Sequence, residues 1–249
     1  MRFFLGLNRF APNHAIFGDM AWEPLINRQK LNMLRLWNRL VKLENNRLTK
    51  KIFLWEYSIG RNNWTCNLKT IFNEIENTNC FDNIMICDLR RAKEKLLERS
   101  TNIWSESILN KPKLRTYILF KQNVYTEKYV SYDLTRKERS ILAQLRAGIL
   151  PLEIETGRYI NIPAEERLCK CCSLNVTEDE FHFLFVCNLY DSLRLNLFTS
   201  IVSKIPNFVN LDNIEKLKVL FSNFPRQLAR FVKSAYEKRS GFLYPPLLL

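Results

Sequence analysis

The sequence predicts a mainly α-helical protein, with bundle-like helical segments and one small Cys/His module. Three observations lead there. Apolar residues recur at helical spacing through most of the 249 residues. A composition rich in β-branched and aromatic residues is confined to 113–132. Four metal-competent side chains fall within nineteen residues, from Cys169 to Cys187. With 47% hydrophobic residues and only six glycines, the chain can bury a real core in one or two domains, and extensive disorder is disfavoured.

Three segments follow from the patterning: a basic helical segment 1–52, a helical connector 53–134 with short strands, and the Cys/His module with its flanking helices in 135–249. From Pro24 to about Lys51, Ile26, Met33, Leu34, Trp37, Leu40 and Val41 recur at helical spacing and predict one long amphipathic helix. Residues 53–82 read as a less regular connector, with Trp55 and Trp64 as core anchors rather than base-stacking platforms. A second long helix is expected over 84–109, where Pro112 stops it, and a short strand pair over 113–132. Thr135 followed by Glu138 is a capping-box signature for a helix carrying Ile141, Leu142 and Leu145, closed by Gly148 and Pro151. Helical spacing returns over 189–204, 211–222 and 225–239.

The cysteine cluster reads C-x2-C-x9-H-x4-C. Two cysteines two residues apart on a tight turn grip a metal from one side, and a histidine and a cysteine from the next helical segment close the tetrahedron. Cys169, Cys172, His182 and Cys187 are therefore the expected ligands of one structural zinc. Cys171 stands beside Cys172 and leaves the choice of front thiol open. His182 and Cys187 are about 140° apart on an ideal helix, so Cys187 must sit where the last turn loosens, with Asn188 placed to end it. Four protein ligands leave no open position, so the site is structural rather than catalytic.

Charge points to a polyanionic partner. Thirty-eight basic and twenty-five acidic residues give +13. Residues 1–51 carry ten Lys/Arg and three acids, and residues 188–249 nine and four, whereas 167–187 has two basic and three acidic residues. Arg28, Arg35, Arg39 and Lys42 fall within about 60° of one another on the predicted helix and form a stripe of one sign. Arg136, Lys137, Arg139 and Arg146 near the module, with Arg158 after Gly157, complete the expected nucleic-acid contacts. The seven cysteines, an amino terminus unlike a signal peptide and no apolar run of membrane-spanning length point to an intracellular protein of nucleus or cytoplasm, without a membrane partner.

The stretches LTRKERSILAQLRAGILPLEIETGRY, EERLCKCC and TEDEFHFLFVCNLY resemble, in that order, the region that follows the polymerase core in non-LTR (LINE-type) retrotransposon reverse transcriptases. RFFLGLNRFAPNHAIFGDMAW and RLWNRL resemble the segment just upstream, so the likeness spans nearly the whole chain. It implies the same four zinc ligands reached by spacing. Ala21 departs from it, since similar sequences carry glycine before the tryptophan, and Cys171 is an extra thiol. The chain has no Asp-Asp pair for a two-magnesium palm, no Walker-type glycine loop, no G-x-S-x-G and no H-E-x-x-H. The expectation is a non-enzymatic, zinc-stapled accessory region binding RNA or DNA, without polymerase or endonuclease parts, whose other partner would be the polymerase core of the parent polyprotein. The alternative is a protein-interaction module or decayed element-derived fragment whose zinc only staples helices.

Overall fold

The computed structural model describes residues 2–61 and 63–244. The chain divides into two compact units, one of residues 22–105 and one combining 1–21 with 106–249. Breaks expected at 52/53 and 134/135 are corrected accordingly. The amino-terminal helices α1 (Arg2–Leu5) and α2 (Asn13–Met20) leave the basic segment because Asp19 on α2 pairs with Arg146, at 2.7 and 2.8 Å. Gly6 belongs there too: its carbonyl accepts from Ser140, and its positive φ of 61° suits a residue without a Cβ.

In residues 22–105 the helices are α3 (Leu25–Val41), α4 (Leu48–Ile59), α5 (Trp64–Glu74), α6 (Thr78–Asp82) and α7 (Leu89–Leu109), the last running past the boundary of the unit. The single helix expected over 24–51 is broken. Residues 42–47 turn, and the Lys50 ammonium donates to the carbonyls of Leu40 and Val41, satisfying the open end of α3. The irregular connector expected over 53–82 is helical as well. Gly60, at φ 59°, ends α4, and the Asn63 side chain accepts from the backbone of Thr65 and Cys66 to start α5. Trp37 is the centre of this unit. It is fully buried, packs its ring on Phe53, Phe72 and Phe81 at 5.2–5.6 Å, and donates its indole N–H to the Met85 carbonyl. Two aromatic expectations separate here. Trp64 is half-buried against Phe53, whereas Trp55 is 63% exposed and no core anchor; Ile26 is exposed too.

In the other unit the strand pair expected over 113–132 does not form. The segment makes a 3-10 turn at Pro112–Leu114, then α8 (Tyr117–Phe120) and α9 (Lys128–Ser131). Its aromatic residues serve burial instead: Tyr117 and Tyr129 are buried and donate their hydroxyls to Asp19 at 3.0 and 2.9 Å. Among the described residues the one strand-like pairing is an antiparallel bridge between Leu168 and Thr177. The remaining helices are α10 (Arg136–Arg146), α11 (Glu153–Thr156), α12 (Asp191–Val202), α13 (Asn213–Asn223) and α14 (Pro225–Leu243), with α10 packed along α14. The capping box is present, Thr135 and Glu138 exchanging hydrogen bonds at the start of α10. Beyond its end, Gly148 lies at φ 62°, where an added Cβ would meet the Lys113 carbonyl at 1.9 Å, so only glycine fits.

Candidate metal centre and basic surfaces

The candidate metal cluster is built by two short pieces of chain. The first is the loop closed by the Leu168–Thr177 bridge, in which Cys169 N–H donates to the Val176 carbonyl at 2.9 Å and Asn175 takes φ 52° to turn the chain. The second is a wide π-type turn over His182–Val186, closed by Cys187 N–H donating to the His182 carbonyl five residues back, at 2.8 Å. That wide turn is the loosening that the His182–Cys187 spacing requires, and it brings the two side chains to the same side. What ends it differs from expectation. Cys187 takes an extended backbone (φ −58°, ψ 122°), and Asn188 opens the following 3-10 turn rather than capping a helix.

Cys169, Cys172, His182 and Cys187 could hold a metal ion: their ligand atoms all lie within 4.8 Å of one another. The Cys169 and Cys187 sulfurs are 3.9 Å apart, and the Cys172 sulfur is 3.4 Å from His182 Nε2. A disulfide would need about 2.05 Å. A tetrahedral metal bonded to sulfur at about 2.3 Å and to nitrogen at about 2.0 Å has edges of about 3.5–3.8 Å, close to what these pairs show. Burial pushes the Cys169 thiol up to about 12 and Cys187 to about 11, and lowers the His182 imidazole, favouring its neutral form.

Cys171 is turned elsewhere. Its thiol converges with Cys169 and the buried Glu178, and burial with that carboxylate nearby raises it to about 12. Its backbone N–H donates to the Cys169 sulfur at 3.4 Å, so Cys171 supports the front of the site through its main chain.

Three side chains that spacing alone did not single out fasten the cluster to the helices. Glu178 accepts from Arg239 of α14 at 2.6 and 2.7 Å, and from the Glu153 backbone. Glu180 accepts from Thr116 at 2.8 Å and Arg115 at 2.5 Å. Arg194 of α12 donates to the carbonyls of Leu184 and Cys187 and holds the wide turn from outside. The signal was present as the acidic run Thr177-Glu-Asp-Glu180 inside a basic chain, but its partners lie tens of residues away in sequence.

The basic residues divide sharply. Arg28, Arg35 and Arg39 on α3, and Lys42 at its end, are exposed, and none has an ion-pair partner among the described residues. Arg136 and Lys137 are exposed at the start of α10, on a groove of about 560 Å³ that also meets Ser140, Gln144 and Tyr236. An adjoining groove continues over Lys137 to Arg230 and Lys233 of α14. Those two cations were absent from the sequence expectation, although the basic balance of 188–249 pointed to their helix.

Three expected contacts are corrected. Arg146 is fully buried, paired with Asp19 and Glu127, and enclosed by the rings of Tyr117, Phe120, Tyr129 and Phe221. Asp19 and its hydrogen bonds hold its charge firmly despite burial, which by itself opposes ionisation. Arg139 turns inward, donating to the carbonyls of Tyr132 and Leu134 with its guanidinium over Phe4. Arg158 pairs with the buried Glu155. All three lie on helical turns whose other side is core, so a count of arginines overstates the free surface.

Among the described residues no helix is long and apolar enough to cross a membrane. The chain matches no protein-family model, no curated protein and no solved structure.

Proposed function

We propose that this chain is a zinc-stapled nucleic-acid-binding module, of the kind that follows the polymerase core in the non-LTR retrotransposon reverse transcriptases its sequence resembles, and that RNA is its ligand. Zinc is the metal we assign to the cluster: three thiolates and one imidazole form a soft, tetrahedral, closed donor set that suits it. When bound, zinc supplies cross-linking rather than chemistry, since no ligand position is left for water or substrate. Cys169 and Cys172 hold it from the loop, and His182 and Cys187 from the wide turn. Arg194, Glu178 and Glu180 keep both pieces in place.

The observation that carries the RNA reading is a set of exposed cations in each unit, Arg28, Arg35, Arg39 and Lys42 on α3 and at its end, and Arg136, Lys137, Arg230 and Lys233 along the α10–α14 grooves. The first four have no ion-pair partner among the described residues, whereas Arg230 and Lys233 hold only loose pairs at 3.6 and 3.8 Å, easily exchanged for phosphate. Contacts of this type position a backbone without reading its sequence. Reversing Arg35 and Arg39 to glutamate, or Arg136 and Lys137 likewise, should weaken binding to single-stranded RNA uniformly across sequences. Each lost phosphate contact should flatten the log-affinity against log-salt line by roughly 0.7. Unchanged affinity and slope in both variants would remove nucleic acid from the account and favour a protein-interaction module.

A further inference from the structure

The groove that Arg136 and Lys137 line holds more than cations. Arg136, Ser140 and Gln144 follow one another at steps of four along α10 and form one stripe. The two cations stand at the start of the helix and Gln144 two turns on, about 12 Å from Arg136 by helical rise. Ile141, Leu150 and Pro151 give the groove apolar surface, and Tyr236 of α14 adds an aromatic ring. Its volume of about 560 Å³ lies within the span of small-ligand sites, about 300–1,000 Å³.

The polar groups inside it are held in a fixed order. The Ser140 hydroxyl donates its one proton to the Gly6 carbonyl at 2.9 Å, so toward Gln144 it only accepts. The Gln144 amide nitrogen is therefore the donor, at 3.0 Å. Its second N–H and its carbonyl oxygen have no partner among the described residues. A donor and an acceptor side by side match the edge of a nucleobase. Tyr236 has no aromatic neighbour among the described residues, so its ring lacks a stacking partner. At the lip, the Arg136 guanidinium rests over the exposed Phe3 ring at 4.2 Å, which holds that cation in place.

The charges that choose the occupant are those of the groove itself. Arg136 and Lys137 have no ion-pair partner among the described residues, and none of the residues lining the groove is acidic. Glu138 and Glu237, on the neighbouring turns, pair with Arg230 and Lys233 instead. Cations at one end, an amide and a ring further in, and apolar surface between them fit a flat, hydrogen-bonding group carried on an anionic backbone. We infer that the groove takes one base of a single-stranded RNA, stacked on Tyr236 with its edge on the Gln144 amide, while its phosphates lie on Arg136 and Lys137. The inference rests on the RNA reading of the same cations and adds a selectivity to it. Bases of a duplex are paired and stacked inside the helix and do not enter. Phosphate contact alone would favour the duplex, whose charge is denser.

Fluorescence anisotropy of the zinc-loaded full chain tests this with three labelled RNAs: a short single strand, its duplex, and the same strand without its bases. The parent should bind the single strand about ten-fold more tightly than the base-free strand, which keeps every phosphate, and more tightly than the duplex. Tyr236→Leu should lose that advantage and bind both strands alike, with an unchanged salt slope because no charge is removed. Tyr236→Phe, which keeps the ring, should behave as the parent does. Gln144→Ala, a substitution that suits a helix, should shrink the same advantage. Equal binding of the base-bearing and base-free strands by the parent would overturn the inference and leave the phosphate contacts standing. Absence of salt-dependent binding to every RNA would remove the RNA reading itself, and the inference with it. A preference for the duplex, or an advantage that survives in Tyr236→Leu, would place the base elsewhere and overturn it too. Tyr236-dependent binding of a peptide rich in glutamate and tryptophan, undisplaced by RNA, would give the groove to a protein partner instead.

Discussion

Residues 22–105 are held together around an indole, whereas residues 1–21 with 106–249 are held around buried ions and thiols. In the first unit Trp37 gathers Phe53, Phe72 and Phe81, and its single polar atom is satisfied by one carbonyl. In the second, Asp19 answers Arg146 and two tyrosines, Glu178 answers Arg239, Glu180 answers Arg115 and Thr116, and four side chains able to hold a metal ion converge. Non-directional apolar packing tolerates repacking when volume is kept. A buried ion pair fixes register and punishes removal of one partner, because the survivor is left charged without water. The two units should therefore fail in different ways.

The largest effect short of metal loss should be at Asp19 and Arg146. Either single alanine substitution should destabilise the chain by about 3–5 kcal/mol, and the double substitution by clearly less than the sum, measured by urea unfolding. Trp37→Ala should cost a similar ~3–5 kcal/mol through the cavity it leaves, yet should add simply with substitutions outside its contacts. Strict additivity at Asp19 and Arg146 would erase the contrast between the units.

A smaller effect of opposite sign is expected at Ala21. This residue ends α2 in the left-handed region at φ 48°, ψ 34°, where a Cβ is unfavourable. Ala21→Gly should stabilise the protein by about 1 kcal/mol, seen as a raised thermal midpoint. A lowered midpoint would contradict the reading of Ala21 as a strained helix end.

An effect of similar size concerns the capping box. Thr135→Ala should cost about 1 kcal/mol. Burial alone would push Glu138 up, but hydrogen bonds from Thr135, with Arg226 and Arg230 nearby, bring it below the ordinary carboxylate range. Its folded value is depressed, so its contribution is present above about pH 4.3, the unfolded value, and is lost as pH falls through the folded one. The stability difference between the parent and Glu138→Gln should accordingly vanish in acid; a difference that persists there would show that the carboxylate's charge plays no part.

The contrast between units also explains what the sequence disclosed. Helix content, the capping box, the closing glycine at 148 and the four converging ligands were legible because each depends on residues close together in the chain. The break after Val41 was not, since it rests on Lys50 reaching back to two carbonyls. Nor was the inward turn of Arg146, whose partner lies 127 residues away. The aromatic run at 113–132 read as strands because strand propensity records burial as much as backbone, and here the burial is against Asp19. Trp55 was misplaced for a different reason: a large aromatic is buried more often than not, but α4 carries a second apolar side that is left exposed.

The central claim is that one zinc ties the loop at Cys169 to the wide turn at Cys187 through Cys169, Cys172, His182 and Cys187, while Cys171 stands aside. Cobalt substitution tests it most directly, since the charge-transfer bands count thiolates and the d–d bands report a tetrahedral field. The account predicts one cobalt per chain with three thiolates and one imidazole, a spectrum retained in Cys171→Ser and lost or reduced to two thiolates in Cys172→Ser. A spectrum that survives Cys172→Ser and disappears in Cys171→Ser, or a chain that takes up no metal, would contradict it.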